Sequence, residues 1–123
     1  MAGGREESMA TTHLLSPRLE QLMASMNLKP SELAGTLGAS ERTVARWLAG
    51  ETYPQHDSRE ALERLIQLEH RLNETFSSHP AARVWLHAES GYFGGLAPMD
   101  ALLRGRIEAV NAALDALDAG VFV

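Results

Sequence analysis

The sequence predicts an all-α fold in which an N-terminal helical domain is joined by a long helix to a second helical domain. Three observations carry this. Apolar residues recur at three- and four-residue spacing in segment after segment. Proline, serine and glycine stand where such segments would start and stop. No stretch shows the strict alternation of a half-buried strand, and no internal repeat is present.

Taken in order, residues 1–13 read as a flexible arm, small and polar without periodicity. Ser16-Pro17 supplies an N-cap and an N1 proline, and Leu19, Leu22, Met23 and Met26 then carry a helix to about Asn27. Pro30 opens a short helix with Leu33, Ala34 and Leu37, stopped by Gly38. Ser40 caps a third helix, Glu41 to Ala49, closed by Gly50. After Tyr53-Pro54, Asp57-x-x-Glu60 reads as a capping box that launches the longest helix. Leu62, Leu65, Ile66, Leu68, Leu72 and Phe76 face inward on it, and it ends before Pro80. A short helix around Ala82–His87 holds Val84, Trp85 and Leu86, with Trp47 and Trp85 both expected in the core. Gly91-Tyr92-Phe93-Gly94-Gly95 is too glycine-rich to be helical throughout. Pro98 starts a further short helix ending at Gly105, and Ile107, Val110, Leu114 and Leu117 stripe a last one that stops at Gly120. The expected division is an arm at 1–13, a domain at 14–56, a connecting and dimerising helix at 57–79 and a second domain at 80–123.

Composition excludes several classes. With 45% hydrophobic and 22% charged residues the chain is an ordinary globular protein, not a disordered one. No apolar run approaches the roughly 18 residues of a membrane span. The first residues, Met1 to Glu7, lack the apolar core of a secretion signal, so a cytoplasmic location is expected. The absence of cysteine rules out disulfides and thiol chemistry. The net charge of −5 divides unevenly, −1 over residues 1–56 and −4 over residues 57–123. An acidic second half is a poor surface for nucleic acid and a reasonable one for protein.

The segment Pro30–Ala49 has the spacing of a helix-turn-helix. Counting Pro30 as the first of twenty positions, Ala34 is fifth, where two helices cross and a small residue is needed. Gly38 is ninth, in the tight turn, and Val44 and Trp47 are fifteenth and eighteenth, packing the second helix onto the first. Such a second helix enters the major groove of DNA, which here turns Ser40, Glu41, Arg42, Ala45 and Arg46 outward. Arg42 and Arg46 lie four apart on one face, able to reach guanine edges or phosphates. Glu41 either accepts from a cytosine amino group or simply favours the positive helix start. The plainer alternative is a helical corner with solvated arginines.

The second half adds Trp85-Leu86, Gly94-Gly95-x-x-Pro98, Leu102-Leu103-x-Gly105 and the closing Gly120-Val121-Phe122-Val123. Together with Ala34 to Leu37, Val44-Ala45-Arg46-Trp47-Leu48-Ala49-Gly50 and Pro54, these residues resemble the MbcA/ParS/Xre antitoxin family over about residues 15 to 123. Gly91-Tyr92-Phe93 departs from the Asn-Pro that many members carry before the glycine pair. The resemblance implies a type II antitoxin that silences a RES-domain toxin degrading NAD. It also implies repression of the antitoxin's own operator DNA, and a homodimer within a larger toxin–antitoxin complex. On that resemblance the toxin-binding residues are Gly94, Gly95, Pro98, Gly120, Val121, Phe122 and Val123, and no cofactor or metal is called for.

Val121, Phe122 and Val123 are three apolar residues where chains usually turn polar, so they either fold back or insert into a partner. Asp115 and Asp118 carry the wrong sign for the end of their own helix. They are expected either to be merely solvated or to join the tail in plugging a pocket built for NAD. His79, His87 and Glu89 lack metal-ligand spacing across Pro80 and read as surface residues. The glycine-rich loop follows no strand, against phosphate binding, and no nucleophile–base pair is evident, so an enzyme is not expected. The rival reading is a free-standing helix-turn-helix regulator whose second half only dimerises.

Overall fold

The computed structural model describes the backbone of residues 3–120 and the side chains of residues 15–120. Among the described residues seven α-helices follow one another: α1 (Gly3–Met26), α2 (Pro30–Leu37), α3 (Glu41–Leu48), α4 (His56–Thr75), α5 (His79–His87), α6 (Pro98–Leu103) and α7 (Ile107–Asp118). A 3-10 turn, Gly91–Phe93, lies between α5 and α6. Among the described residues there is no strand, and no helix is long and apolar enough to cross a membrane.

Local chemistry explains most of the breaks. α1 stops because Asn27 turns left-handed at φ 56°, which lets the Leu28 N–H reach back to the Met23 carbonyl at 2.8 Å. α2 stops in the same manner at Gly38, φ 67°, with the Ala39 N–H on the Ala34 carbonyl at 2.9 Å. At its start, the Glu32 carboxylate accepts from the Lys29 N–H at 2.8 Å. α3 is capped by Ser40, whose hydroxyl accepts from the Thr43 N–H at 3.1 Å.

Several boundaries differ from those expected. α1 begins at Gly3, so the residues expected as an arm are helical and Pro17 lies inside the helix rather than at its first position. Arg5 to Ala10 are mostly good helix formers without glycine or proline, and Pro17 removes one backbone donor without stopping the helix. Ser16 is therefore no cap for α1; its hydroxyl donates to the Leu48 carbonyl, one of the orphan acceptors at the end of α3. α4 starts at His56 after Gln55, which places Asp57 inside the first turn, where it favours the helix dipole instead of closing a capping box. It ends at Thr75 with Phe76 extended, because the Ser78 hydroxyl accepts from the Ala81 N–H at 3.2 Å and starts α5 there, earlier than Ala82.

The buried residues form one continuous cluster. Leu19, Leu22 and Met26 from α1 meet Leu33 and Leu37 of α2, Val44 and Trp47 of α3, and Leu65, Leu68 and Leu72 of α4. Leu86, Leu102, Ile107, Val110 and Leu114 extend the same cluster through α5, α6 and α7. Trp85, expected in the core, is only half-buried and leans on Phe76 with ring centroids 5.6 Å apart. Two arginines tie helices together at the edge of this core. Arg18 of α1 holds the buried Glu69 of α4 at 2.8 Å, and Arg71 of α4 reaches the end of α7.

Candidate binding surfaces

On α3 the inward residues are Val44 and Trp47, and Ser40, Glu41, Arg42, Ala45 and Arg46 are all exposed. The five residues read as an outward face thus do lie on one exposed helical surface. Their side chains are not equally free. The Ser40 hydroxyl is engaged by its cap and by Thr43 Oγ1 at 2.9 Å. The Arg46 guanidinium stands 3.7 Å from the Glu51 carboxylate, an exposed and therefore weak pair. Arg42 has no carboxylate partner among the described residues.

The second surface is the loop from Ser90 to Leu96, closed by its own hydrogen bonds. The Ser90 N–H donates to the Leu96 carbonyl at 3.0 Å, the Gly95 N–H donates to the Ser90 carbonyl at 2.9 Å, and the Tyr92 N–H donates to the Ser90 hydroxyl at 3.2 Å. Gly94 and Gly95 take φ of 66° and 93°, a reversal that side-chain-bearing residues rarely adopt, and both are exposed. Pro98, by contrast, is buried at the first turn of α6. Its part in the Gly94-Gly95-x-x-Pro98 pattern is to start a helix directly after the reversal, not to offer a contact surface.

This loop also carries exposed apolar groups that the sequence pattern did not single out. Tyr92 and Leu96 are 45% and 48% exposed, and Val84 on the preceding α5 is 70% exposed. Tyr92 is steadied by Phe93, edge to face with centroids 5.2 Å apart. The sequence signal for this surface was an aromatic pair between glycines. Beneath Leu96 a groove of about 320 Å³ opens between α2, the end of α5 and α6, with Glu32, Glu89 and Asp100 around it and Met99 and Leu103 in its wall.

At the end of α7, Gly120 is left-handed at φ 81° and exposed. Asp115 and Asp118 both accept from Arg71 Nη2 at 2.8 Å. Those bonds, to Asp118 first and then to Asp115, hold the Arg71 guanidinium above its ordinary pKa. Asp115 and Asp118 are therefore not merely solvated: a cation on the neighbouring helix pairs with both, while their side chains stay 69% and 48% exposed. Val121, Phe122 and Val123 lie outside the described residues.

His87, read as a surface residue, is exposed and its Nδ1 sits 2.8 Å from the Arg83 carbonyl. A different trio, His56, Asp57 and Glu60, brings three ligand atoms within 4.8 Å of one another at the exposed start of α4. The positive end of that helix's dipole opposes a cation there.

Comparison with known proteins agrees with this architecture. Residues 71–120, from the last turn of α4 to the end of α7, match the model of the antitoxin Xre/MbcA/ParS C-terminal toxin-binding domain. The mycobacterial cidal antitoxin MbcA of Mycobacterium tuberculosis is 29% identical over 111 residues, 90% of this chain and 97% of that protein, and MbcA of Mycobacterium bovis matches equally. A chain in the crystal structure of the M. tuberculosis MbcT-MbcA toxin-antitoxin complex superposes with a TM-score of 0.59 at 30% identity, covering 89% of this chain and 97% of that one. With the family match, the fold and the near full-length similarity in agreement, the chain belongs to the Xre/MbcA/ParS antitoxin family.

Proposed function

We propose that this protein is the antitoxin of a type II toxin–antitoxin pair, acting in the cytoplasm as a homodimer within a larger complex. Its partner is a RES-domain toxin that degrades NAD. The observation that carries this reading is the near full-length similarity to a chain from a solved toxin-antitoxin complex, 97% of which is covered. The surface around the 90–96 loop fits the role. A loop closed by its own hydrogen bonds loses little freedom on binding, and exposed Tyr92 and Leu96 supply apolar anchors. Val121, Phe122 and Val123 follow α7 as an apolar segment suited to enter the toxin's NAD pocket.

The α2–turn–α3 pair supports a second activity, repression of the antitoxin's own promoter. Its exposed face of Arg42, Ala45 and Arg46 is the kind of helix surface that enters a major groove. The test of the main reading is co-expression with the toxin encoded beside it. The toxin should be recovered at fixed stoichiometry, and cellular NAD should fall when the toxin is made alone and be maintained when both are made. An antitoxin that purifies without the toxin while NAD still falls would favour a free-standing regulator.

A further inference from the structure

We propose that Arg104 and Arg106 form a phosphate clamp that carries the DNA face of α3 across onto the α6–α7 corner. This rests on the reading of α2 and α3 as a DNA-binding pair.

The placement follows from the glycine between them. A Cβ at Gly105 would stand 3.7 Å from the Thr36 carbonyl oxygen and 4.0 Å from that of Gly35. Carbonyls in a helix point toward its C-terminal end, so Gly105 lies over the last turn of α2, which leads through Gly38 into α3. Arg104 and Arg106 flank Gly105 in the chain and are therefore held at that same end. Both are exposed, and among the described residues neither makes an ion pair or a side-chain hydrogen bond.

Charge is sorted along the α2–α6 pair. Glu32 and Asp100 stand in the first turns of α2 and α6, with Glu89 beside them on the same groove. The C-terminal end carries Arg104 and Arg106, next to the turn that leads into α3, where Arg42 lies in the first turn and Arg46 one turn further on. A chain of net charge −5 needs such sorting if it is to approach a polyanion, because neutralised phosphates supply most of the affinity. α3 alone offers two arginines, one of them shared with Glu51. Two more at the α6–α7 corner, on a rigid backbone contact with α2, double the cationic groups available without adding any base-reading residue. The alternative role for this pair is to complement the negative C-terminal end of the α2 dipole, which would stabilise the fold and do nothing for DNA.

The experiment is a salt titration of DNA binding by the full chain. One labelled duplex carries the sequence upstream of its own reading frame, and a second carries an unrelated sequence. For Arg104→Ala/Arg106→Ala, the slope of log affinity against log salt should fall by roughly 1.8, two phosphates at about 0.9 each. Both duplexes should weaken alike, by roughly ten-fold or more near physiological salt. Arg104→Lys/Arg106→Lys should restore the slope, since a phosphate accepts either cation. Arg42→Ala/Arg46→Ala should instead erase the preference for the upstream duplex. An unchanged slope in the Arg104/Arg106 variant overturns the clamp, and a lowered melting temperature alongside it assigns the pair to the α2 dipole. If the α3 variant has meanwhile lost its preference, DNA binding by α3 stands without the clamp. If wild-type protein binds neither duplex in a salt-dependent way, the clamp and the DNA-binding reading fall together.

Discussion

A Cβ on Gly35 would stand 2.9 Å from the carbonyl oxygen of Leu103, so α2 and α6 meet backbone to backbone. Nothing flexible lines that contact, and a methyl group there forces the helices apart. Gly35→Ala is therefore expected to destabilise by about 1–3 kcal/mol, despite the better helix propensity of alanine. Because the buried residues form one cluster, helicity and the fluorescence of Trp47 and Trp85 should be lost in a single transition at lower denaturant. Two separate transitions would show that the halves fold apart.

Gly38 differs in kind from Gly35. A Cβ there meets nothing within 4 Å, and the constraint is its left-handed φ of 67°. Gly38→Val should cost at least about 1–2 kcal/mol through backbone strain alone. Gly38→Asn should recover much of that loss, as Asn27 at φ 56° does at the end of α1. Thermal melts of the two variants would separate them, and equal stability would place the strained turn elsewhere.

The pairs Arg18–Glu69 and Arg71–Asp118 have the same 2.8 Å length but unequal surroundings. Glu69 is 8% exposed at its side chain, whereas Asp115 and Asp118 are 69% and 48% exposed. Arg18→Gln leaves a buried carboxylate without its cation and should cost about 2 kcal/mol or more. Arg71→Gln should cost about 0.5 kcal/mol or less and be masked by added salt. Since the Arg71 pKa is raised on folding, its contribution is complete below the unfolded value and is lost only as pH rises through the folded one. Between neutral and mildly alkaline pH the effect of Arg71→Gln should thus be constant in urea titrations.

Removal of both α3 arginines tests the promoter role. Arg42→Ala/Arg46→Ala should weaken binding to the upstream duplex by about 1–3 kcal/mol for each bidentate arginine–guanine pair that is removed. Toxin neutralisation should persist, because the 90–96 loop is on other elements. Gel-shift titration at fixed salt is the measurement, and unchanged affinity would remove α3 from the DNA surface.

Deleting Val121 to Val123 tests the apolar segment as an inhibitor. Helicity and operator affinity should be unchanged while NAD degradation by the co-purified toxin resumes. If the shortened protein still silences the toxin at equal stoichiometry, inhibition acts through the Tyr92 and Leu96 surface instead.

What the sequence determined by itself were the features set within a few residues. α2 starts at Pro30 and stops at Gly38, Ser40 caps α3, and Val44 and Trp47 turn inward while Arg42, Ala45 and Arg46 turn out. Caps, left-handed turns and helical spacing act over one or two turns, so they can be read from neighbours in the chain. The family was legible in the same way, from the order of short motifs. The tertiary structure decided everything that depends on residues far apart. It put Pro17 inside a helix, gave Ser16 to the end of α3 and paired Arg71 with Asp115 and Asp118 across more than forty residues. It buried Pro98 while leaving Tyr92, Leu96 and Val84 exposed. It also brought Gly35 onto Leu103 and Gly105 onto Thr36, and with that contact set Arg104 and Arg106 beside the turn into α3. Burial and charge pairing are set by which surfaces meet in three dimensions, and no local pattern in one segment records what another will cover.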